Sequence, residues 1–318
     1  MPLTAYCLDH GNWTVIPRQM RDSFRDMRKC GFDGVALSFS ESEMRYSRRA
    51  FEIQVACAHE CGLKVHAIPT RIGGRFAGAP VLYCNWLVEH PSSQTPENPA
   101  MACIQDAEFR KWAHEFIHTL FADYELDGLV WDEPKSTVLV TRHPAATAKF
   151  GPNPTPENMA DAFALFIEEL TATARAARPD IAVTLFNMPT TKACFTARCA
   201  HIKGLDYLGF DGGFCRQSYF REAPDKLKHY LPERWERTRA ECAAGGKQTF
   251  ALVENFMVPE GLVPELREGL TAFLKQAHPD HLSCYYYGLD NAEPEAVHAA
   301  VIEVIREHYL SSPSDKQK

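Results

Sequence analysis

Apolar, strand-like runs and amphipathic helices alternate along the chain. Leu3 to Leu8 reads as a strand, and a helix follows from about Pro17, where Met20, Phe24 and Met27 recur at helical spacing. Gly31 ends that helix, and Gly34 to Phe39 is a second strand. The next helix carries Ala50, Ile53, Cys57 and Cys61 on one stripe, with Gly62 placed to cap it. Leu63 to Ile68 is a third strand. Phe109, Trp112, Ala113, Phe116 and Leu120 mark the inward face of a further helix, which leads into a strand at Leu126 to Asp132. Later strands are expected at Ile181–Phe186, Leu205–Phe210, Gln248–Val253 and Ser283–Tyr287. Between them lie helices around Ala162–Leu170, Lys192–Lys203, Leu227–Cys242 and Leu262–Phe273, and a last one carries Val297, Ala300, Val301, Val304 and Ile305 on one face.

Two connections break this rhythm. Pro69 to about Asp106 is rich in Gly, Pro, Ser and Asn, and Pro134 to Pro156 is rich in proline. Connections this long inside a compact domain usually serve function. Eight strands, each followed by a helix, predict an α/β fold: a single (β/α)₈ TIM barrel over residues 1–310, with long loops after strands three and four. Residues 311–318 are expected to be a disordered tail. A doubly wound open sheet is the alternative, but the first turn, Leu8-Asp9-His10-Gly11-Asn12-Trp13, lacks its Gly-rich phosphate pattern.

Composition narrows the partners. The chain has 318 residues, of which 45% are hydrophobic, enough for a substantial core. Its net charge of −7 argues against a nucleic-acid partner, and the densest basic cluster, Arg45, Arg48 and Arg49, reads as a solvated helix face. No apolar run approaches the roughly 20 residues a membrane span needs. The N-terminus shows no signal-peptide pattern, and the 11 cysteines, an odd number without zinc spacing, read as buried reduced thiols. Together these predict a cytoplasmic protein with a small-molecule partner and no membrane contact.

The chemistry gathers where strands end. Leu126-Asp127-Gly128-Leu129-Val130-Trp131-Asp132-Glu133-Pro134 and Phe250-Ala251-Leu252-Val253-Glu254-Asn255 are apolar runs that stop on acidic residues, and they fall on strands four and seven. Strand C-termini carry the active sites of such barrels. The other strand ends offer Asp9, Trp13, His66, Arg71, Asn187, Asp211, Tyr287 and Asp290, and Trp86 lies in the long loop. Carboxylates and amides grip sugar hydroxyls, while aromatic faces stack on the C–H faces of the ring. Structural roles compete for each of these residues. Glu254 could pair with an arginine in a barrel layer, His66 could be a hydrogen-bonded barrel histidine, and Trp13 and Trp86 could be packing.

On these residues the chain resembles (β/α)₈ glycoside hydrolases, particularly the large clan whose acid/base follows strand four and whose nucleophile follows strand seven. That clan ends strand four in Asn-Glu-Pro, matched here by Asp132-Glu133-Pro134. Its nucleophile matches Glu254. The resemblance implies a retaining glycosidase in which Glu133 is the acid/base and Glu254 the nucleophile. Asp132, the departure from the clan's asparagine, would accept from a sugar hydroxyl or itself be the working carboxylate. Strand alternation sends only one of Asp132 and Glu133 into the site if the strand stays regular.

Three functions follow from this reading. The first is a glycosidase acting on short oligosaccharides or small glycosides, with Asp132, Asp211, Asn187 and His66 positioning hydroxyls and with no metal or cofactor. The second is a metal-dependent sugar isomerase or epimerase: Cys30-Gly31-Phe32-Asp33-Gly34-Val35 resembles the second-strand entry of those barrels, and the resemblance implies a divalent metal for which Glu133, Asp211, His66 and Glu254 are the candidate ligands. The third is a non-catalytic carbohydrate-binding barrel.

Overall fold

The computed structural model describes residues 1–7, 15–77, 84–135, 139–188, 190–215 and 232–311. Eight parallel strands close into a barrel: β1 (Leu3–Cys7), β2 (Gly34–Phe39), β3 (Lys64–Pro69), β4 (Gly128–Asp132), β5 (Ala182–Asn187), β6 (Tyr207–Gly212), β7 (Gln248–Val253) and β8 (His281–Tyr285). Each pairs with its sequence neighbours, and β1 pairs with β8 to close the ring. Eight main helices follow the strands: α1 (Pro17–Cys30), α2 (Arg48–Glu60), α3 (Ala107–Asp123), α4 (Pro156–Ala177), α5 (Ala193–Cys199), α6 (Pro232–Gly245), α7 (Val263–Ala277) and α8 (Pro294–Ile305). Among the described residues no helix is long and apolar enough to cross a membrane.

Local chemistry explains the boundaries. Pro17 opens α1, and Gly31 ends it at φ 103°, a left-handed turn that suits glycine. Asp106 caps α3 by accepting from the Phe109 N–H, and Thr155 caps α4 by accepting from Asn158. The loop after β3 is only partly irregular. It holds a short helix at Asn85–Glu89 and a two-stranded hairpin of Gln94–Thr95 with Asn98–Ala102. The loop after β4 holds a short helix at Pro144–Phe150. Of the expected tail, only Ser311 lies among the described residues.

The strands are buried on both faces, as expected when helices wrap a parallel barrel. Val183 and Leu185 pack outward beneath the helices, while Ala36, Ile68, Val130, Phe186, Phe250 and Leu252 fill the barrel. Four aspartates stitch the N-terminal face. Asp33, Asp127, Asp206 and Asp280 each stand just before an even-numbered strand. Their carboxylates accept the N–H of Leu3, Val65, Val183 and Thr249, at 3.2, 2.8, 2.8 and 2.8 Å, on the odd-numbered strands. These bonds tie neighbouring strands together at the N-terminal face of the barrel.

Candidate active site

Strand β4 turns Val130 into the barrel and Trp131 out, where its indole N–H donates to Thr171 of α4 at 2.9 Å. Asp132 shares the parity of Val130 and accepts the Tyr6 hydroxyl at 2.6 Å. The strand then stops. Glu133 has φ 36°, a left-handed backbone uncommon for a side-chain-bearing residue. That break in alternation lets Asp132 and Glu133 both stay buried, at 4% and 5% exposure. Such a backbone costs on the order of 1–3 kcal/mol and persists only when its surroundings hold it. Here the Ala77 N–H donates to the Asp132 carbonyl at 2.9 Å, the Glu133 N–H to Phe186 at 3.1 Å, and the Lys135 N–H to Arg75 at 2.6 Å. The Arg75 guanidinium anchors this bracket by donating to the Ala102 carbonyl at 2.8 and 2.6 Å. Burial lowers its pKa to about 10.

On β7, Phe250 and Leu252 point inward, and Glu254 continues that set one residue past the strand end. Its N–H donates to Gly212 at 3.0 Å, extending the ladder to β6. The Asn255 side chain both donates to and accepts from the Tyr285 backbone, each at 2.9 Å, which ties the strand end to β8. Asp211 lies within β6 on the same inward parity as Gly209. One carboxylate oxygen each from Glu133, Asp211 and Glu254 lies within 4.8 Å of the other two, and all three residues are buried. Like charges this close are costly unless a proton or cation offsets them. Lys135 brings one cation: its ammonium is ion-paired with Glu133 and sits 3.6 Å from the Met188 sulfur. The three oxygens are also hard donors of the kind a divalent cation accepts.

The remaining expectations divide. Asp211 joins the carboxylates. Arg71 stays at the rim beyond β3, beside Glu41, Thr70 and Trp112. Asp9 and Trp13 lie outside the described residues. Five placements need correction. His66 is the third residue of β3, not its end; it lies at the N-terminal side of the barrel with Thr4, Asp127, Tyr207 and His281. Its ring fits there because β4 begins with Gly128, whose added Cβ would meet the imidazole at 2.1 Å. Asn187 has the outward parity of Leu185, and its amide bonds Cys199 of α5. Trp86 stacks on His90 and Trp112, with ring centroids 4.0 and 5.1 Å apart, so its aromatic surface is used inside the protein. Tyr287 lies past β8, stacked on His298 of α8 at 4.3 Å with its hydroxyl on Glu295. Asp290 is exposed in the turn before α8.

Three residues at the mouth escaped the sequence reading. Tyr6 and Tyr285 both line the barrel, their rings 5.3 Å apart, and strand parity signals both once the strand ends are known. Burial, then the Asp132 carboxylate, push the Tyr6 phenol well above its usual value. Lys135 had no such signal, because the left-handed turn at Glu133 decides where it points.

No family model and no curated protein matches the chain. Solved structures do. The β-galactosidase of psychrophilic Marinomonas ef1 aligns over 96% of this chain with a TM-score of 0.68 at 13% identity. The chain has the fold of solved glycoside hydrolases. It spans 59% of the length of that β-galactosidase. The catalytic domain of a β-amylase from Paenibacillus polymyxa aligns over 95% of this chain and 98% of its own length, with a TM-score of 0.61 at 9% identity. A GH5_18 structure from Streptomyces cattleya, in complex with GlcNAc, aligns over 98% of this chain and 81% of its own, with a TM-score of 0.64 at 14% identity. At such identities the likeness is one of architecture.

Proposed function

We propose that the chain is a retaining glycoside hydrolase acting on short oligosaccharides or small glycosides. The observation that carries this reading is the approach of Glu133 and Glu254, from strands four and seven, with carboxylate oxygens within 4.8 Å in a buried cluster. Retaining enzymes hold their two carboxyls about 5–5.5 Å apart, whereas inverting ones leave about 6.5–9.5 Å for a water. The close approach of these two oxygens is consistent with the retaining arrangement, and the stereochemistry of the product decides it. The barrel it shares with solved glycosidases supports the reaction class.

Glu133 protonates the departing glycosidic oxygen while Glu254 attacks the anomeric carbon, breaking the C–O bond and forming a glycosyl ester. Glu133 then takes a proton from water as that water displaces Glu254. Asp132, held by Tyr6, and Asp211 accept sugar hydroxyls. Lys135 offsets the clustered charge, and Tyr285 offers an aromatic face at the mouth. The 11 cysteines are all free thiols, which supports work in a reducing, cytoplasmic compartment on small imported sugars.

The test is a panel of aryl glycosides assayed with wild type, Glu133→Gln and Glu254→Gln. Hydrolysis by wild type with near-full activity in either variant contradicts the roles. The carboxylate trio keeps one other reading specific, a metal-dependent sugar isomerase, although His66 is not among its possible ligands. Loss of activity after EDTA treatment, restored by a divalent cation, favours that alternative. Sugar binding without turnover favours a non-catalytic barrel.

A further inference from the structure

A second constellation of metal-ligating side chains lies outside the barrel, where α1 packs near α8. Asp26 and Cys30 are one helical turn apart on α1 and so share a face. His298, from α8, brings Nε2 to 3.9 Å from the Cys30 sulfur. One ligand atom each from Asp26, Cys30 and His298 lies within 4.8 Å of the other two.

The orientation of these donors is the stronger observation. The His298 Nδ1 sits 2.6 Å from the Tyr286 carbonyl, which can only accept, so Nδ1 carries the proton and donates it. Nε2 is then left with its lone pair on the side of Cys30. The hydroxyl of the same Tyr286 donates to Asp26, which holds that carboxylate beside the other two donors. Tyr287 stacks on the imidazole, with a ring separation of 4.3 Å, and fixes its plane. Ligands of zinc sites are oriented in this way by their outer partners.

The geometry points to a site for a borderline-soft divalent cation such as zinc, held by Cys30 Sγ, His298 Nε2 and an Asp26 carboxylate oxygen, with a water in the fourth position. Bond lengths of about 2.3 Å to sulfur and 2.0–2.1 Å to nitrogen, at a tetrahedral angle, set sulfur and nitrogen roughly 3.6 Å apart. The observed 3.9 Å needs only a small closure. Binding deprotonates the thiol and releases that proton to solvent. Thiolate and carboxylate together then balance the charge of the ion. Asp26 is solvent-accessible and Cys30 buried, so the ion has an entry path and a firm seat. The bound ion would clasp the first barrel helix to the last, across the seam where β1 meets β8.

Metal-free protein is incubated with zinc, desalted and analysed for metal, and a parallel sample is loaded with cobalt(II). Wild type should retain about one equivalent at this site and show the thiolate-to-cobalt charge-transfer band of a cysteine-ligated tetrahedral ion. Cys30→Ser and His298→Gln should lose the band and this equivalent. Glu254→Gln, which alters the carboxylate cluster, should keep both. Asp26→Asn, a conservative change at an accessible position, should retain the fold by circular dichroism and bind zinc about tenfold or more weakly. Absence of the cobalt–thiolate band in wild type, or zinc affinity unchanged in Asp26→Asn, overturns the site.

Discussion

Tyr6 on β1 donates its hydroxyl to Asp132 on β4 at 2.6 Å, reaching across the barrel interior from one strand to another three places away. The bond fixes the residue next to the proposed acid/base, in a place where burial keeps the tyrosine protonated. Tyr6→Phe removes only the donor. A hydrogen bond to a charged group is worth about 1.5–3 kcal/mol, so kcat/KM should fall roughly 10- to 100-fold. Steady-state kinetics, with circular dichroism to show an unchanged fold, checks this. A variant as active as wild type would show that Asp132 needs no such anchor.

The two carboxylates on the β4 end should separate by leaving-group dependence. If Glu133 protonates the departing oxygen, Glu133→Gln should slow glycosides with poor leaving groups by about 10²–10⁴-fold, the usual range for general acid catalysis. Substrates with acidic phenol leaving groups should suffer much less. Asp132→Asn should show no such slope, because its proposed role is to hold a hydroxyl. A Brønsted plot of kcat/KM against leaving-group pKa for each variant separates them, and a slope that steepens only in Asp132→Asn reverses the assignment.

Acid should destabilise the fold through the opposite end of the barrel. Burial lowers the pKa of His66 to about 4, and burial, then His66, lower that of His281 to about 3. Both are about 6.5 in an unfolded chain. Above pH 6.5 neither state binds the proton, and the stability of the neutral, buried rings is fully present. As pH falls below about 6.5 the unfolded chain takes up protons that the folded one refuses, so stability drops until pH reaches the folded values. The slope should approach about 1.4 kcal/mol per pH unit for each histidine. Urea denaturation at a series of pH values from 7 to 4 measures it, and His281→Gln should flatten the curve by one proton.

The aspartate stitches predict a purely structural loss. Asp280 accepts from both the N–H and hydroxyl of Thr249, at 2.8 and 2.7 Å. Asp280→Ala should cost about 1–3 kcal/mol of stability while leaving kcat unchanged, since it acts far from the carboxylates. Thermal melts beside kinetics check both halves.

Much of this architecture is legible in the chain itself. Strands β2 and β7 lie where the apolar runs place them, and Asp132, Glu133 and Glu254 stand at the strand ends the pattern marks. Strand boundaries carry the errors. Tyr285, Tyr286 and Tyr287 are equally good strand residues, so nothing local says that β8 stops at Tyr285 and leaves Tyr287 against α8. His66 sits mid-strand in both the expected Leu63–Ile68 and the observed Lys64–Pro69, so its place well below the strand end follows from the strand bounds themselves. The meeting of Asp132 and Glu133 in one site needed the left-handed backbone at Glu133, held by contacts with residues 75–77 and 186. No period-two pattern encodes that. Likewise, the spacing of Asp33, Asp127, Asp206 and Asp280 becomes meaningful only once the strand starts are known.

The central claim is that Glu254 attacks the sugar with Glu133 beside it. Wild type is incubated with the 2-deoxy-2-fluoroglycosyl fluoride of the sugar it hydrolyses, digested, and mapped by mass spectrometry. The account predicts one glycosyl adduct, on Glu254, and none in Glu254→Gln. An adduct on Asp211, Asp132 or Glu133, or turnover with no adduct and inverted product, would contradict it.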